Sequence, residues 1–472
     1  MTNWHLVLLL FYSALLIGLG IWTGRRVATS QGFFVAERRL SPLLLFATML
    51  AANIGAGSTV GAAGLGYRDG LSAWFWVGSA GIGSILLGLW IGPRIWKVAR
   101  QHDLQTVGDY LEFRYGAPVR GVVSSLLWVA TLAILAGQFI GMAWILNVIT
   151  GIPKWAGCLI SGSVMILYFT AGGLVSSVWV NLVQLVVLLA GFALALPLVL
   201  QSAGGWQGIV SGLPPSALDP WAGGHAWDHL VLLVPAFIVS PGLLQKIYGA
   251  RDARTVRLAV TGQGLFLLLF ALAPMALGMA ARALYPGLQP PVPGQAVDIA
   301  LPHLLVHALP AWVGAISLAA ILSAEISSAD AVLFMLATSL SKDLYKRFLR
   351  PQADDAQVLR TARAAALGGG LLAVLLAMAL SSVVHALSIF YTLLGLSLLV
   401  PLLAGLCMGG GTTRAALAAI FTAIGVHLLA DSLLDAPLAG WLTPQLLGFL
   451  SSALAFLLFY VLARRRGARP GH

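Results

Sequence analysis

Charge is what this chain has least of. Asp, Glu, Lys and Arg make up only 9% of its 472 residues, hydrophobic residues make up 59%, and the mean hydropathy is +0.92. A soluble chain of this length carries charge at roughly a quarter of its positions. Too little polar surface exists to face water, which excludes a soluble protein and implies a polytopic membrane protein. Cysteine is nearly absent. Cys158 and Cys407 each lie in an apolar run, which excludes a disulfide framework or thiolate metal site and reads as two buried small hydrophobes. There is no phosphate-binding loop, serine-nucleophile elbow or zinc-protease motif. His225 and His229, with Asp228 between them, have metal-like spacing but no third ligand, and read as polar residues of a helix start. No stretch between apolar runs is long enough to build its own core, which disfavours a receptor with an output domain.

What is present is a series of long apolar runs. A membrane-spanning helix needs about 20 such residues. The spans fall near 4–23, 41–67, 71–93, 121–149, 155–171, 174–200, 228–243, 256–282, 309–341, 361–381, 384–408, 412–430 and 441–463, an expectation of about thirteen helices in one transporter domain covering 1–472. The first is neutral at its start and followed by Arg25 and Arg26, the pattern of a retained anchor rather than a cleaved signal. With the N-terminus outside, all but three of the 27 Lys and Arg residues fall on the cytoplasmic side; the exceptions are Arg68, Lys154 and Arg282. Such a bias orients the chain with its C-terminus in the cytoplasm. It also explains a pI near 10.0 without any nucleic-acid partner.

Two spans contain helix-disrupting sequence. Residues 50–67 read LAANIGAGSTVGAAGLGY, with glycines at 55, 57, 61, 64 and 66. These glycines serve either close helix packing or an unwound segment whose freed carbonyls bind an ion. The neighbouring Asn53, Ser58 and Thr59 favour the second. The seventh span holds Pro235 and then Ser240-Pro241-Gly242, where proline removes a backbone donor. Two interrupted spans, five apart, are the mark of two five-helix repeats with a midplane site between them.

The motifs GFFVAERRLSP (32–42), TVGDYLEFRYG (106–116), GGLVSSVWVNLVQ (172–184) and SKDLYKR (341–347) occur in order along the chain. Together they resemble the sodium/solute symporter family over essentially the whole length. That resemblance implies an all-α fold of the leucine-transporter type: an extra N-terminal helix (4–23), a 5+5 inverted repeat (41–200 and 228–408) with broken first and sixth core helices, and two C-terminal helices (412–463). It implies a Na+ site formed by the carbonyls of Ala51, Ile54 and Ala324 and the hydroxyls of Ser327 and Ser328. These are neutral oxygens, suited to a hard cation, and 324, 327 and 328 share one helix face. In members with a second site, an Asp lies where this chain has Asn181, and hydroxyls lie where it has Asp330 and Ala331. Asn181 and Asp330 are therefore expected to face each other, either as a variant cation site or with Asp330 as a protonatable group.

Glu325 sits about 60° around the same helix from Ser328. Its possible roles are pairing with a base, holding a proton, binding a cationic part of the solute, or hydrogen bonding within the bundle. Asn53, Ser58, Gln138, Glu325 and Tyr391 are the solute-binding candidates, together with Trp74 and Phe390. Glu325 and Asp330 lie about 140° apart, which argues against paired acid–base chemistry and against an enzyme. The resulting expectation is a Na+-coupled symporter importing a small organic solute by alternating access. It is a multi-pass protein of the cell inner (plasma) membrane, sufficient as a monomer and needing no organic cofactor. A proton-coupled symporter, or an uncoupled facilitator or channel, is the alternative.

Overall fold

The computed structural model describes residues 6, 7, 10–15, 18, 40–172, 176–290, 292–408, 411–433 and 441–465, apart from the side chains of 168, 170–172, 176–181 and 223. Helices account for nearly all of it. Pro42–Asn53 (α1) and Val60–Asp69 (α2) are the arms of one broken span. Trp74–Leu86 (α3) passes through a wider π turn into Gly92–Gln101 (α4). Val107–Tyr115 (α5) precedes the long Ala117–Thr150 (α6), followed by Lys154–Gly172 (α7) and Ser176–Ser202 (α8). His225–Val239 (α9) and Pro241–Tyr248 (α10) form the second broken span. Ala253–Phe270 (α11), Leu272–Leu284 (α12) and the short Ala300–His307 (α13) lead to Ala311–Thr338 (α14), which continues as a π-helix to Leu349. Asp355–Ala379 (α15), Val383–Cys407 (α16), Thr413–Leu433 (α17) and Pro444–Arg465 (α18) complete the bundle.

Ten helical stretches among the described residues are long and apolar enough to cross a membrane, while Pro42–Asn53 and Lys154–Leu167 are apolar but shorter. Each span expected from the second onward has a helical counterpart. The span at 4–23 lies mostly outside the described residues, so the count of thirteen stays an expectation.

The helix starts follow local chemistry. Ser41 caps α1 by accepting the Leu44 N–H, with Pro42 in the first turn. Thr106 and Asp109 form a reciprocal capping box on α5, and Asp252, Asp354 and Ser382 cap α11, α15 and α16. Each satisfies a backbone donor that a helix start leaves free.

Both expected interruptions are present. After Asn53 the chain leaves the helix at Ile54 (φ −93°, ψ 100°), makes a 3-10 turn over Ala56–Ser58, and resumes at Val60. The second break is sharper than expected. The helix runs through Pro235, and the interruption is confined to Ser240 (φ −54°, ψ 117°), with Pro241 opening α10. The arms α1 and α10 are tied together at one end. Leu40 donates to the Gly249 carbonyl at 3.1 Å, Arg251 donates to Leu40 at 3.3 Å, and the Lys246 ammonium donates to the Thr48 carbonyl at 2.8 Å.

The two readings of the glycine-rich span divide it between them. Gly55 and Gly57 belong to the unwound segment, whereas Gly61, Gly64 and Gly66 are packing positions. A Cβ on Gly66 would lie 2.6 Å from the Met275 carbonyl, and one on Gly64 3.0 Å from the Val297 backbone. Gly278 of α12 answers across the same seam, where a Cβ would meet the Ala63 carbonyl at 2.0 Å. Elsewhere α14 packs against α8, α6, α15 and α1, and α6 packs against α16. The α1–α2 break is thus enclosed by α6, α14 and α16.

Candidate ion and solute site

Unwinding at Ile54 frees backbone groups that a continuous helix would pair internally. Their partners come from the surrounding helices. Gln138 of α6 accepts the Ala56 N–H through Oε1 at 2.9 Å, and the Trp76 indole of α3 donates to the Gly57 carbonyl at 2.9 Å. Within the break, Ser58 donates to Asn53 O and Thr59 to Gly55 O, both at 2.9 Å.

On the other side, α14 presents its serines to the last turn of α1. The Ser327 hydroxyl lies 2.9 Å from the Ala51 carbonyl and 3.0 Å from the Ala324 carbonyl. It has one proton to donate, so two carbonyls share a single donor and lone pairs are left over. Ser328 donates to the Ala52 carbonyl at 3.1 Å, one residue from the carbonyl set expected. Ile54 sits past the last turn of α1, its backbone extended. Ala51, Ala324 and Ser327 are therefore brought together, with Ser328 and Ile54 beside them. The donor set is neutral oxygen throughout, which suits a hard monovalent cation and contains nothing to hold a soft transition metal.

Glu325 is fully buried, and neither carboxylate oxygen has a hydrogen-bond partner. It fills the junction of α14, α6 and the break. A Cβ on Gly141 would lie 2.5 Å from Glu325 Oε1 and 2.7 Å from the Ala56 Cβ. A Cβ on Gly55 would lie 2.4 Å from Ser328 Oγ and 2.6 Å from Gln138 Oε1. Asp330 is buried further along α14. Asn181 lies on α8, which packs alongside α14, but its side chain is outside the described residues.

Tyr391 of α16 belongs to an aromatic group the sequence only partly indicates. Its ring lies 5.5 Å from Phe237, 6.3 Å from Trp76 and 5.2 Å from Phe390. Trp76 also meets His229 edge-on at 5.2 Å. The expected helix-start histidine is therefore buried behind these rings, and no cluster of three metal-ligating side chains occurs among the described residues. Trp74 is directed elsewhere, donating its indole N–H to Leu268 of α11 at 3.1 Å. Trp76, Phe237 and Gly141 were missed by the sequence reading, since each looks like ordinary packing until the helices are assembled.

Asp298 was missed as well. It lies in the turn before α13, fully buried, with Oδ2 accepting the Val383 N–H at 2.8 Å and Oδ1 unpartnered. Burial pushes its carboxyl up to about 7 against the pull of the Val383 hydrogen bond and of Lys154.

With this geometry the comparisons with known proteins agree. The profile of the sodium:solute symporter family matches residues 33–423. The chain belongs to that family. Among its relatives are the sodium/pantothenate symporter of Escherichia coli (strain K12), 27% identical over 71% of this chain and 71% of its own length, and the sodium/glucose cotransporter of Vibrio parahaemolyticus, 23% identical over 88% and 82%. The high-affinity choline transporter 1 of Caenorhabditis elegans is 24% identical over 80% and 69%. The structure of a Na+-coupled sialic acid symporter, substrate-bound and outward-open, superposes with a TM-score of 0.81 at 18% identity, covering 97% of this chain and 98% of its own. MHP1, a nucleobase-cation-symport-1 family transporter, superposes with a TM-score of 0.62 at 16% identity over 94% and 96%. These superpositions show a shared fold. Symporters of this family are transporters rather than enzymes, and Na+ is their coupling ion.

Proposed function

We propose that this chain is a Na+-coupled symporter that imports a small organic solute by alternating access, and that Ala51, Ile54, Ala324, Ser327 and Ser328 form its Na+ site. The observation that carries the reading is the Ser327 hydroxyl joined to carbonyls on both sides of a helix interface, Ala51 at 2.9 Å and Ala324 at 3.0 Å. An ion held there draws together α1 and α14. It therefore favours the conformation in which they are close, and its differential affinity for the two conformations is the coupling. The solute lies against the break, near Asn53, Ser58, Gln138, Glu325 and Tyr391. Asn181 and Asp330 provide a second cation or proton site between α8 and α14. The end that carries Arg120 and Asp343 faces the cytoplasm, as the Lys and Arg bias favours.

The test is uptake into proteoliposomes of a solute first identified by a thermal-shift screen run with and without Na+. An inward Na+ gradient is expected to drive accumulation. Accumulation driven equally by a proton gradient without Na+ contradicts the reading.

A further inference from the structure

Glu325 is not needed to hold the fold together in any way the structure displays. Its Oε1 lies close against Gly141 of α6, and its oxygens accept no hydrogen bond. A carboxylate enclosed in this way is costly unless something positive meets it. On α14 the other carboxylate is Asp330. From α6 and the break, the side chains that approach the junction are neutral: Gln138, Ser58 and Asn53. Among the described residues, the charged group whose field reaches Glu325 from another element is Asp298, which is also acidic. Lys154 acts on Asp298 and donates to the Leu380 carbonyl. Among the described residues, no basic side chain is shown to meet Glu325.

A metal ion is a poor occupant. It needs several oxygens in its first shell, and the neutral set proposed for Na+ around Ser327 supplies them without Glu325. Trp76 is tied to the break through the Gly57 carbonyl and groups with Tyr391 and Phe237, and aromatic ring faces attract organic cations. Glycine at 141 leaves the space into which Glu325 Oε1 projects. We infer that the transported solute carries a positively charged ammonium group and that Glu325 is the residue that selects it. This deepens the symport reading and rests on it.

The experiment compares solutes of matched shape and different charge on the purified full-length protein in Na+: choline against 3,3-dimethylbutan-1-ol, its neutral carbon isostere, with carnitine, L-lysine, glucose and pantothenate completing the panel. At least one ammonium compound is expected to raise the melting temperature, with an apparent affinity about tenfold or more above any neutral counterpart, the scale of one lost charge-assisted contact. Glu325→Gln, of nearly the same shape, is expected to abolish that preference. Glu325→Asp is expected to keep part of the preference.

Stabilisation by glucose or pantothenate without any ammonium compound overturns the inference, as does a panel in which no cation is preferred. Preference unchanged in Glu325→Gln overturns it too. The wild-type pairs decide the matter even if the variant does not fold. Failure of the symport reading is seen separately, as the absence of any response to Na+ in the wild type without solute.

Discussion

At the scale of single residues, the break is held open by side chains from other helices. Gln138 is the clearest case. It supplies the acceptor that the Ala56 N–H lost when the helix unwound. Gln138→Leu leaves that donor buried without a partner, with an expected loss of about 1–3 kcal/mol, measured as a lower melting temperature in detergent. Asp298 gives a second test. Below pH 3.8 it is protonated folded or unfolded. Between 3.8 and about 7 the folded protein keeps a proton that the unfolded chain has released. Stability therefore falls as pH rises through that window, with a slope of at most about 1.4 kcal/mol per pH unit. Asp298→Asn is expected to flatten this part of the stability–pH profile; an unchanged slope contradicts the assignment. The sequence indicated Gln138 because a glutamine in an apolar span is conspicuous. It gave no hint of Asp298, which reads as one acid in a polar loop and is buried only because that loop folds back onto the start of α16.

Elements show how much of the architecture local sequence carries and where it stops. Span positions follow from length and hydropathy, and both breaks follow from backbone chemistry: glycines at 55 and 57, and Ser240-Pro241. Pro235 marks the limit of the rule, because α9 passes through it unbroken. The function of each glycine was not legible either, since a packing glycine and an unwinding glycine are the same letter. Only the partner helix distinguishes them. Gly66 and Gly278 let α2 and α12 approach until backbone meets backbone. Gly278→Ala sets a Cβ against the Ala63 carbonyl, which cannot rotate aside. It is expected to destabilise by about 1–3 kcal/mol, whereas Gly425→Ala, with open space around it, is expected to leave the melting temperature unchanged.

Across the whole molecule, one end of the bundle is fastened differently from its middle. At one end Arg120 of α6 reaches Asp109 and Glu112, each at 2.9 Å, and Asp343 beyond α14 at 2.6 Å. Arg347 meets Glu112 at 2.5 Å. Burial raises the Glu112 carboxyl, but hydrogen bonds from Arg347 and Arg120 outweigh it and hold the group below its usual range. The motifs TVGDYLEFRYG and SKDLYKR, separated by nearly half the chain, meet in this network, which their order in the sequence does not reveal. Arg120→Met strands Asp343, which is buried, and is expected to cost about 3–5 kcal/mol, read as lost thermal stability and faster proteolysis at the α5–α6 junction. The middle is held by serine hydroxyls, Ser327 on Ala51 and Ala324 and Ser328 on Ala52, where the proposed Na+ would add a further tie.

That difference leads to the most direct measurement: equilibrium Na+ binding to the purified wild-type protein and to Ser327→Ala, with K+ as the control. Saturable binding selective for Na+ in the wild type, weakened about tenfold or more in Ser327→Ala, is the predicted result. Equal Na+ binding by the two proteins, or none by the wild type, contradicts the Na+ site on which the account of this transporter rests.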